Sequence, residues 1–166
     1  MTVTTAHRGA PGWLGLVGFG AATLAVAGIG ALAAADAGET YAELHRPMWA
    51  PPAWLFGPVW TVLYVAIAVA GWLVWRRTGL RDANGWRKEM VAFAVQLGLN
   101  ALWTPLFFGA HWYGVALLDI ALLWVAICLN VALFARVHRP AGLLLLPYWA
   151  WVSFAAVLNA VIWHLN

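Results

Sequence analysis

Charged residues cut the chain into long uncharged runs, from Trp13 to Ala35, Ala53 to Trp75, Met90 to Ala110 and Ala141 to Trp163. Each is long enough to cross a bilayer as a helix, which takes roughly 20 residues. A fifth run, Trp112 to Ala135, is interrupted only by Asp119, and one acid is compatible with a spanning helix whose acid faces the protein interior. The pattern predicts an all-α integral membrane protein, a five-transmembrane-helix bundle with helices near 13–35, 53–75, 90–110, 112–135 and 141–163. No polar linker or low-complexity tract divides residues 1–166, so a single membrane domain is expected.

Composition agrees with the pattern. At 64% hydrophobic and 9% charged residues, the chain carries more apolar surface than a water-soluble core of its size can hide. Arg8 ahead of an Ala/Gly-rich stretch ending in "ALAAADA" imitates a signal peptide. The first apolar run exceeds the usual ~7 to 15 residues of such a peptide, so it is read as a helix.

Charge changes the picture by giving a direction. Arg8, Arg76, Arg77, Arg81, Arg87, Lys88, Arg136 and Arg139 fall on one side of the predicted topology, and Arg46 alone on the other. The positive-inside rule then places the N-terminus in the cytoplasm and the C-terminus outside, in a cell membrane expected to be bacterial. The net charge of +3 is accounted for by this asymmetry, and no nucleic-acid partner is expected. The bilayer itself is the expected surrounding partner.

Several chemistries lack equipment. Lys88, the only lysine, lies at a helix edge, which excludes a retinal Schiff base in mid-membrane. His7, His45, His111, His138 and His164 sit in loops or at helix ends, so a buried axial pair for haem is absent and no metal site is expected. Cys128 is alone and expected to be buried in the fourth span. No HExxH, GxSxG or phosphate loop occurs, and Ser153 is the only serine.

Polar and aromatic residues inside the spans remain. With a rise of about 1.5 Å per residue, Trp60 and Tyr64 lie roughly 10 to 17 Å below the outer surface. On the third span, Trp103, Asn100 and Gln96 lie at about 9, 14 and 20 Å and share a face, while Asp119 is about 10 Å deep on the fourth. On the fifth, Asn159, Ala155 and Trp151 lie at about 8, 14 and 20 Å. Four spans thus bring such groups to one layer, which predicts a pocket in the outer half of the bundle. Each residue also has a structural reading. Trp13, Trp72, Trp75, Trp86, Trp112 and Trp163 stand at span ends and fit the interfacial belt. Trp60, Trp103 and Trp151 fit packing as well as ligand contact. Gln96 and Asn100 fit interhelical hydrogen bonding, and Asp119 fits either an acid held by Asn, Trp or Tyr donors or a proton carrier.

Proline and small residues add two expectations. Pro47, Pro51 and Pro52 stiffen the connection before the second span, and Pro58, Pro105 and Pro147 are expected to bend the second, third and fifth spans and leave room between them. Ala94 and Gly98 form a small-xxx-small step, and the first span is rich in glycine and alanine, so close helix contacts are expected within the protomer or across a dimer.

The segments "RPMWAPPAWLFGPVWTVLY" (46–64), "QLGLNALWTPLFFG" (96–109), "LLDIALLW" (117–124) and "LLPYWAWVSFAAVLNAVIW" (145–163) closely resemble the tryptophan-rich sensory protein family, TspO/MBR, related to the translocator protein or peripheral-type benzodiazepine receptor. The W-x-P-P and N-x-x-W-x-P elements are specific, and the first span matches only in character. The resemblance implies a five-helix, usually homodimeric protein that binds porphyrins such as protoporphyrin IX or haem, together with sterols and other amphipathic small molecules, and needs no obligatory cofactor. It implies a sensory or regulatory role, with light-dependent porphyrin degradation in some members. By motif, Trp60 of G-P-V-W and Trp151 of A-W-x-x-F become the pair linked to porphyrin chemistry. Asn100 and Trp103 become pocket residues, Ala155 the small residue beside the ligand, and the loop with Trp49 and Pro51 a lid. The animal sterol motif has a tyrosine and then an arginine after the Leu-Asn of the last span. Here Leu158-Asn159 is followed by Ala160-Val161-Ile162-Trp163-His164, so sterol recognition through that segment is not expected.

The expected ligand set is therefore Trp49, Pro51, Trp60, Tyr64, Gln96, Asn100, Trp103, Asp119, Trp151, Ala155 and Asn159, with Arg46 and His45 as partners for the propionates of a metal-free porphyrin. A carrier for porphyrin or another amphipathic molecule, with Asp119 as a proton-coupled switch, is the alternative, although neither inverted repeats nor paired broken helices occur. A partner-regulating protein with an incidental pocket is a third reading.

Overall fold

The computed structural model describes residues 12–166, so His7 and Arg8 lie outside the described residues. Among these residues, five helical stretches are long and apolar enough to cross a membrane: Gly12–Ala33, Ala53–Thr78, Lys88–Gly109, Tyr113–Val137 and Arg139–Leu165. Each predicted span has its helix, with ends shifted by a few residues.

The elements are α1 (Gly12–Ala33), α2 (Ala37–Glu43), α3 (Phe56–Thr78), α4 (Lys88–Thr104), α5 (Tyr113–Val137), α6 (Arg139–Leu144) and α7 (Leu146–Leu165), with a small antiparallel pair of β1 (Arg81–Asp82) and β2 (Gly85–Trp86) between α3 and α4. Helix α2 and the hairpin lie in connections the pattern leaves as loops. They are too short for a periodic signal.

The spans close a ring in the order α1, α3, α6/α7, α5, α4, with α1 against both α3 and α4. The core runs along the ring's interior, through Ile67 and Val74 of α3, Phe93 of α4, Ile127 and Phe134 of α5, and Tyr148 and Val152 of α7. Outward-facing Leu and Val side chains on every span remain exposed, as a lipid-facing surface requires.

The prolines act differently from the expectation. Pro58 and Pro147 stand in the first turns of α3 and α7, where a missing N–H leaves no broken bond. The fifth span is divided at Leu145, just before Pro147. Pro105 ends the regular part of α4, after which a widened turn, Pro105–Gly109, closes through the Ala110 N–H donating to the Pro105 carbonyl at 2.8 Å. His111 follows with φ 57, which swings the chain from α4 into α5.

Two of the six tryptophans read as an interfacial belt clamp α1 instead. The Trp72 indole N–H donates to the Gly12 carbonyl at 2.7 Å. A β-carbon on Gly15 would overlap the Trp75 ring, so only glycine lets α1 lie this close to α3. Trp13, Trp86, Trp112 and Trp163 are exposed, as an interfacial position requires. Cys128, expected to be buried, is exposed, because it follows the fully buried Ile127 and turns about 100° away from the core. The Ala94/Gly98 step supports no close helix contact in the protomer: both residues are exposed, and a β-carbon on Gly98 would meet nothing within 4 Å.

Candidate functional site

At the end of the bundle that carries the α1–α3 connection, the interior is polar and aromatic. Tyr64 of α3 donates its hydroxyl to Asn100 Oδ1 at 2.8 Å, and Asn100 Nδ2 donates to the Tyr148 hydroxyl at 3.0 Å. Tyr148 donates onward to Gln96 Oε1 at 3.1 Å. Three spans are thereby tied through one amide, and Asn100 and Tyr148 are both buried. One turn nearer the surface, the Trp103 indole donates to Asn159 Oδ1 at 3.1 Å, while Asn159 Nδ2 donates to the Tyr113 carbonyl at 2.9 Å. Where lipid replaces water, these groups have to satisfy one another.

Aromatic rings extend this layer toward the loop. Trp60 packs on Tyr64 with centroids 5.3 Å apart and meets Tyr148 edge-on at 6.1 Å. Phe56 touches Trp151 at 5.8 Å, Trp151 touches Phe154 at 5.5 Å, and Phe154 touches Trp49 of the connection at 5.8 Å. The connection is fastened further by the Tyr41 hydroxyl, which donates to the Pro51 carbonyl at 3.0 Å. Asn166 brackets His45, accepting from its backbone N–H and donating to its carbonyl, both at 3.1 Å. The Arg46 guanidinium lies over the Tyr41 ring at 4.3 Å. Burial raises the Tyr41 hydroxyl above its usual 10.0, and Arg46 pulls in the opposite direction.

Two hollows open in this region and share Phe56, Trp60, Tyr64, Trp103 and Thr104 as a common wall. The inner one, between Trp60, Asn100, Trp151 and Ala155, holds about 20 Å³. The outer one is a cleft of about 600 Å³ between α1, α2 and the α3–α4 wall. Its far side is made of small residues, Ala27, Gly30 and Ala31 of α1, Ala34 of the following turn, and Ala37 and Gly38 at the start of α2. Tyr41 of α2 and Trp54 also line it.

Of the residues singled out from the sequence, Trp60, Tyr64, Asn100, Trp103, Trp151 and Ala155 line these hollows. Gln96, Asp119 and Asn159 do not line them. Gln96 and Asn159 are buried behind the wall with their carbonyl oxygens accepting from Tyr148 and Trp103. Asp119 is buried beside Ile120, and its Oδ2 has no hydrogen-bond partner among the described residues, in contrast to the expected Asn, Trp or Tyr donors. Trp49 and Pro51 belong to the connection over the site, not to its walls. His45 faces Asn166, with Nδ1 at 3.3 Å from Oδ1, so its ring is committed away from the cleft.

Two sets of residues escape the sequence reading. Tyr148 is the hub of the hydrogen-bonded layer, and its spacing of three and seven from Trp151 and Ala155 puts it on their face. That signal was available. In sequence the small residues of α1 fit a helix-packing surface, and their use as a cleft wall depends on where α1 lies.

Fold and cleft together define a helical membrane protein with five spans and an aromatic-walled hollow at one end. The chain belongs to the TspO/MBR family, whose profile matches residues 19–164. It is 45% identical over 131 residues to the tryptophan-rich protein TspO of Chlorobaculum tepidum, covering 76% of this chain and 78% of that protein. It is 36% identical over 162 residues to the bovine (Bos taurus) translocator protein, covering 95% and 93%. Against the tryptophan-rich sensory protein of Cereibacter sphaeroides, identity is 34% over 154 residues, with 93% and 92% covered.

Proposed function

We propose that this chain is a sensory or regulatory membrane protein that binds a porphyrin in the outer cleft, as one membrane domain with its N-terminus cytoplasmic and its C-terminus outside. The observation that carries the reading is the shape and lining of the 600 Å³ cleft. A flat macrocycle needs an aromatic face on one side and a shallow wall on the other. Trp60 and Trp103 offer the first, and the alanines and glycines of α1 the second. The inner hollow of about 20 Å³ is too small for such a ligand and serves as the back of the site. Arg46, held over the ring of Tyr41, itself a cleft residue, is the cation for the propionates. Among the described residues no histidine or methionine lines the cleft, and the hydroxyls of its two tyrosines, Tyr41 and Tyr64, are engaged with the Pro51 carbonyl and Asn100, which favours a metal-free porphyrin over haem.

Trp60 borders both hollows, and Trp151 lies behind it in the inner one. If bound porphyrin is degraded in light, Trp60 is the indole in direct contact. The Trp60→Phe, Trp151→Phe double variant then loses that reaction.

The test is a dark titration with protoporphyrin IX, following tryptophan quenching in wild type, Ala31→Phe and Trp60→Phe. Saturable binding weakened by both changes supports the cleft. Binding that never saturates, or that ignores both substitutions, overturns it. A carrier draws on one observation, the buried Asp119 with an unpartnered Oδ2. Porphyrin uptake into sealed vesicles that is pH-driven in wild type and absent in Asp119→Asn would put the carrier ahead.

A further inference from the structure

Helix α2 ends at Glu43 and Leu44 is already extended, so no helix or strand holds the connection through residues 45–52. Its later half is fastened by side chains, Trp49 against Phe154 of α7 and the Pro51 carbonyl on the Tyr41 hydroxyl. Its first half, where Arg46 stands, depends on one amide.

That amide is Asn166, which follows the last turn of α7, and every polar group of its side chain is used. Nδ2 donates back to the Ile162 carbonyl at 2.9 Å, which anchors the amide to α7, and also to the His45 carbonyl at 3.1 Å. Oδ1 accepts the His45 backbone N–H at 3.1 Å. Asparagine suits the task because its short side chain carries two donors and an acceptor in one plane. It takes both backbone groups of a single residue and keeps an anchor besides. Aspartate lacks the donors, and glutamine carries the plane one methylene further out.

The His45 carbonyl lies in the same peptide plane as the Arg46 nitrogen, so fixing it sets where the Arg46 side chain leaves the backbone. Arg46 is exposed and makes no ion pair among the described residues. Its guanidinium rests instead over the ring of Tyr41, a residue of the cleft. Glu43, three residues earlier and also exposed, is a rival for that cation once the backbone slackens. A long side chain that has to be immobilised on binding costs affinity, and holding it in place beforehand removes that cost.

We infer, on the porphyrin reading above, that Asn166 is a positioning residue of the site: it holds the connection so that Arg46 stays over Tyr41 and meets a carboxylate of the bound ligand. Asn166 itself lines neither hollow. Water competes for the two exposed bonds to His45, so the clasp acts on placement and not on folding.

The experiment measures dark binding of protoporphyrin IX and of its dimethyl ester to wild type, Asn166→Ala, Arg46→Gln and the double variant. Hydrogen exchange over residues 44–46 follows the clasp directly, and circular dichroism verifies folding. Asn166→Ala should speed exchange of the His45 amide, weaken the acid at least about twofold and leave the ester unchanged. Added to Arg46→Gln it should weaken the acid no further, because the two residues act as one unit. If wild type binds neither porphyrin saturably, the porphyrin reading falls; if it binds acid and ester alike, the Arg46 contact falls; either takes this role with it. Where wild type prefers the acid, the role of Asn166 alone is overturned by an Asn166→Ala protein with the same preference or an unchanged His45 amide. Losses that add in the double variant, or that fall equally on acid and ester, overturn it too.

Discussion

Asn100 and Gly30 lie at the same end of the bundle, one on the inner hollow and the other on the outer cleft, with the Trp60–Trp103 wall common to both. Asn100 is buried and bonded to two tyrosines, Tyr64 at 2.8 Å and Tyr148 at 3.0 Å. Gly30 lines the open cleft, where its nearest neighbour across the gap would be the Thr104 hydroxyl, 3.5 Å from an added β-carbon. The α3–α4–α7 side is held by directional bonds between polar groups that have no water to turn to. The α1 side is held at its hairpin end by glycine-mediated approach of Gly15 to Trp75 and by the Trp72 indole bond to the Gly12 carbonyl. At the cleft end it gives way to open space. A rigid wall therefore faces an adaptable one. Substitutions on the first should register as lost stability and on the second as altered binding.

The sharpest test of that contrast is Tyr148→Phe. It removes one hydroxyl that accepts from Asn100 and donates to Gln96, leaving a buried donor and a buried acceptor unpaired. Thermal unfolding in detergent should report a loss of about 1 to 3 kcal/mol. A Tyr148→Phe protein as stable as wild type would break the comparison, because the layer would then be decoration on a shape-packed core.

Ala31→Phe probes the other wall. It projects a ring into the cleft from an exposed position, so stability should move by no more than about 0.5 kcal/mol. Protoporphyrin binding should weaken about tenfold, equivalent to about 1.4 kcal/mol. Loss of folding with intact binding in the survivors would reverse the assignment of the two walls.

Tyr41→Phe tests the fastening between the connection and the cleft. Losing the bond to the Pro51 carbonyl should cost about 0.5 to 1.5 kcal/mol. Tyr41 also has a pH signature. Because its folded pKa is raised above 10.0, its contribution is whole below pH 10 and is lost as pH climbs through the raised value. Melting temperature followed from pH 8 to 11 should fall at the alkaline end in wild type, with that component missing in Tyr41→Phe.

The smallest expected effect is that of Arg46→Gln. Protoporphyrin IX should bind about threefold more weakly, or roughly 0.7 kcal/mol, while its dimethyl ester binds equally to both proteins. Equal weakening for acid and ester would mean that Arg46 acts by supporting Tyr41, not by meeting carboxylates.

Much of this molecule is readable from residue order. Four uncharged runs and a fifth interrupted only by Asp119 dictate five spanning helices, because a backbone inside lipid has to satisfy its own hydrogen bonds. Spacing of three and four residues brings Trp60 with Tyr64, and Gln96, Asn100 and Trp103, onto single faces. The polar layer at one end follows from helix rise and alternating direction. Local pattern also contained Tyr148, which stands on the face of Trp151 and Ala155.

What residue order could not decide is which faces meet and how far apart they stand. Whether Gln96 and Asn159 meet a ligand or one another's neighbours depends on partners some fifty residues away, Tyr148 and Trp103. The glycines and alanines of α1 look alike in sequence. Gly15 is closed by Trp75, Gly18 opens on one groove and Gly30 on another. Hydropathy and helical period are properties of one chain segment and its solvent. The width of a cleft depends on the distance between segments, which only the packed bundle sets.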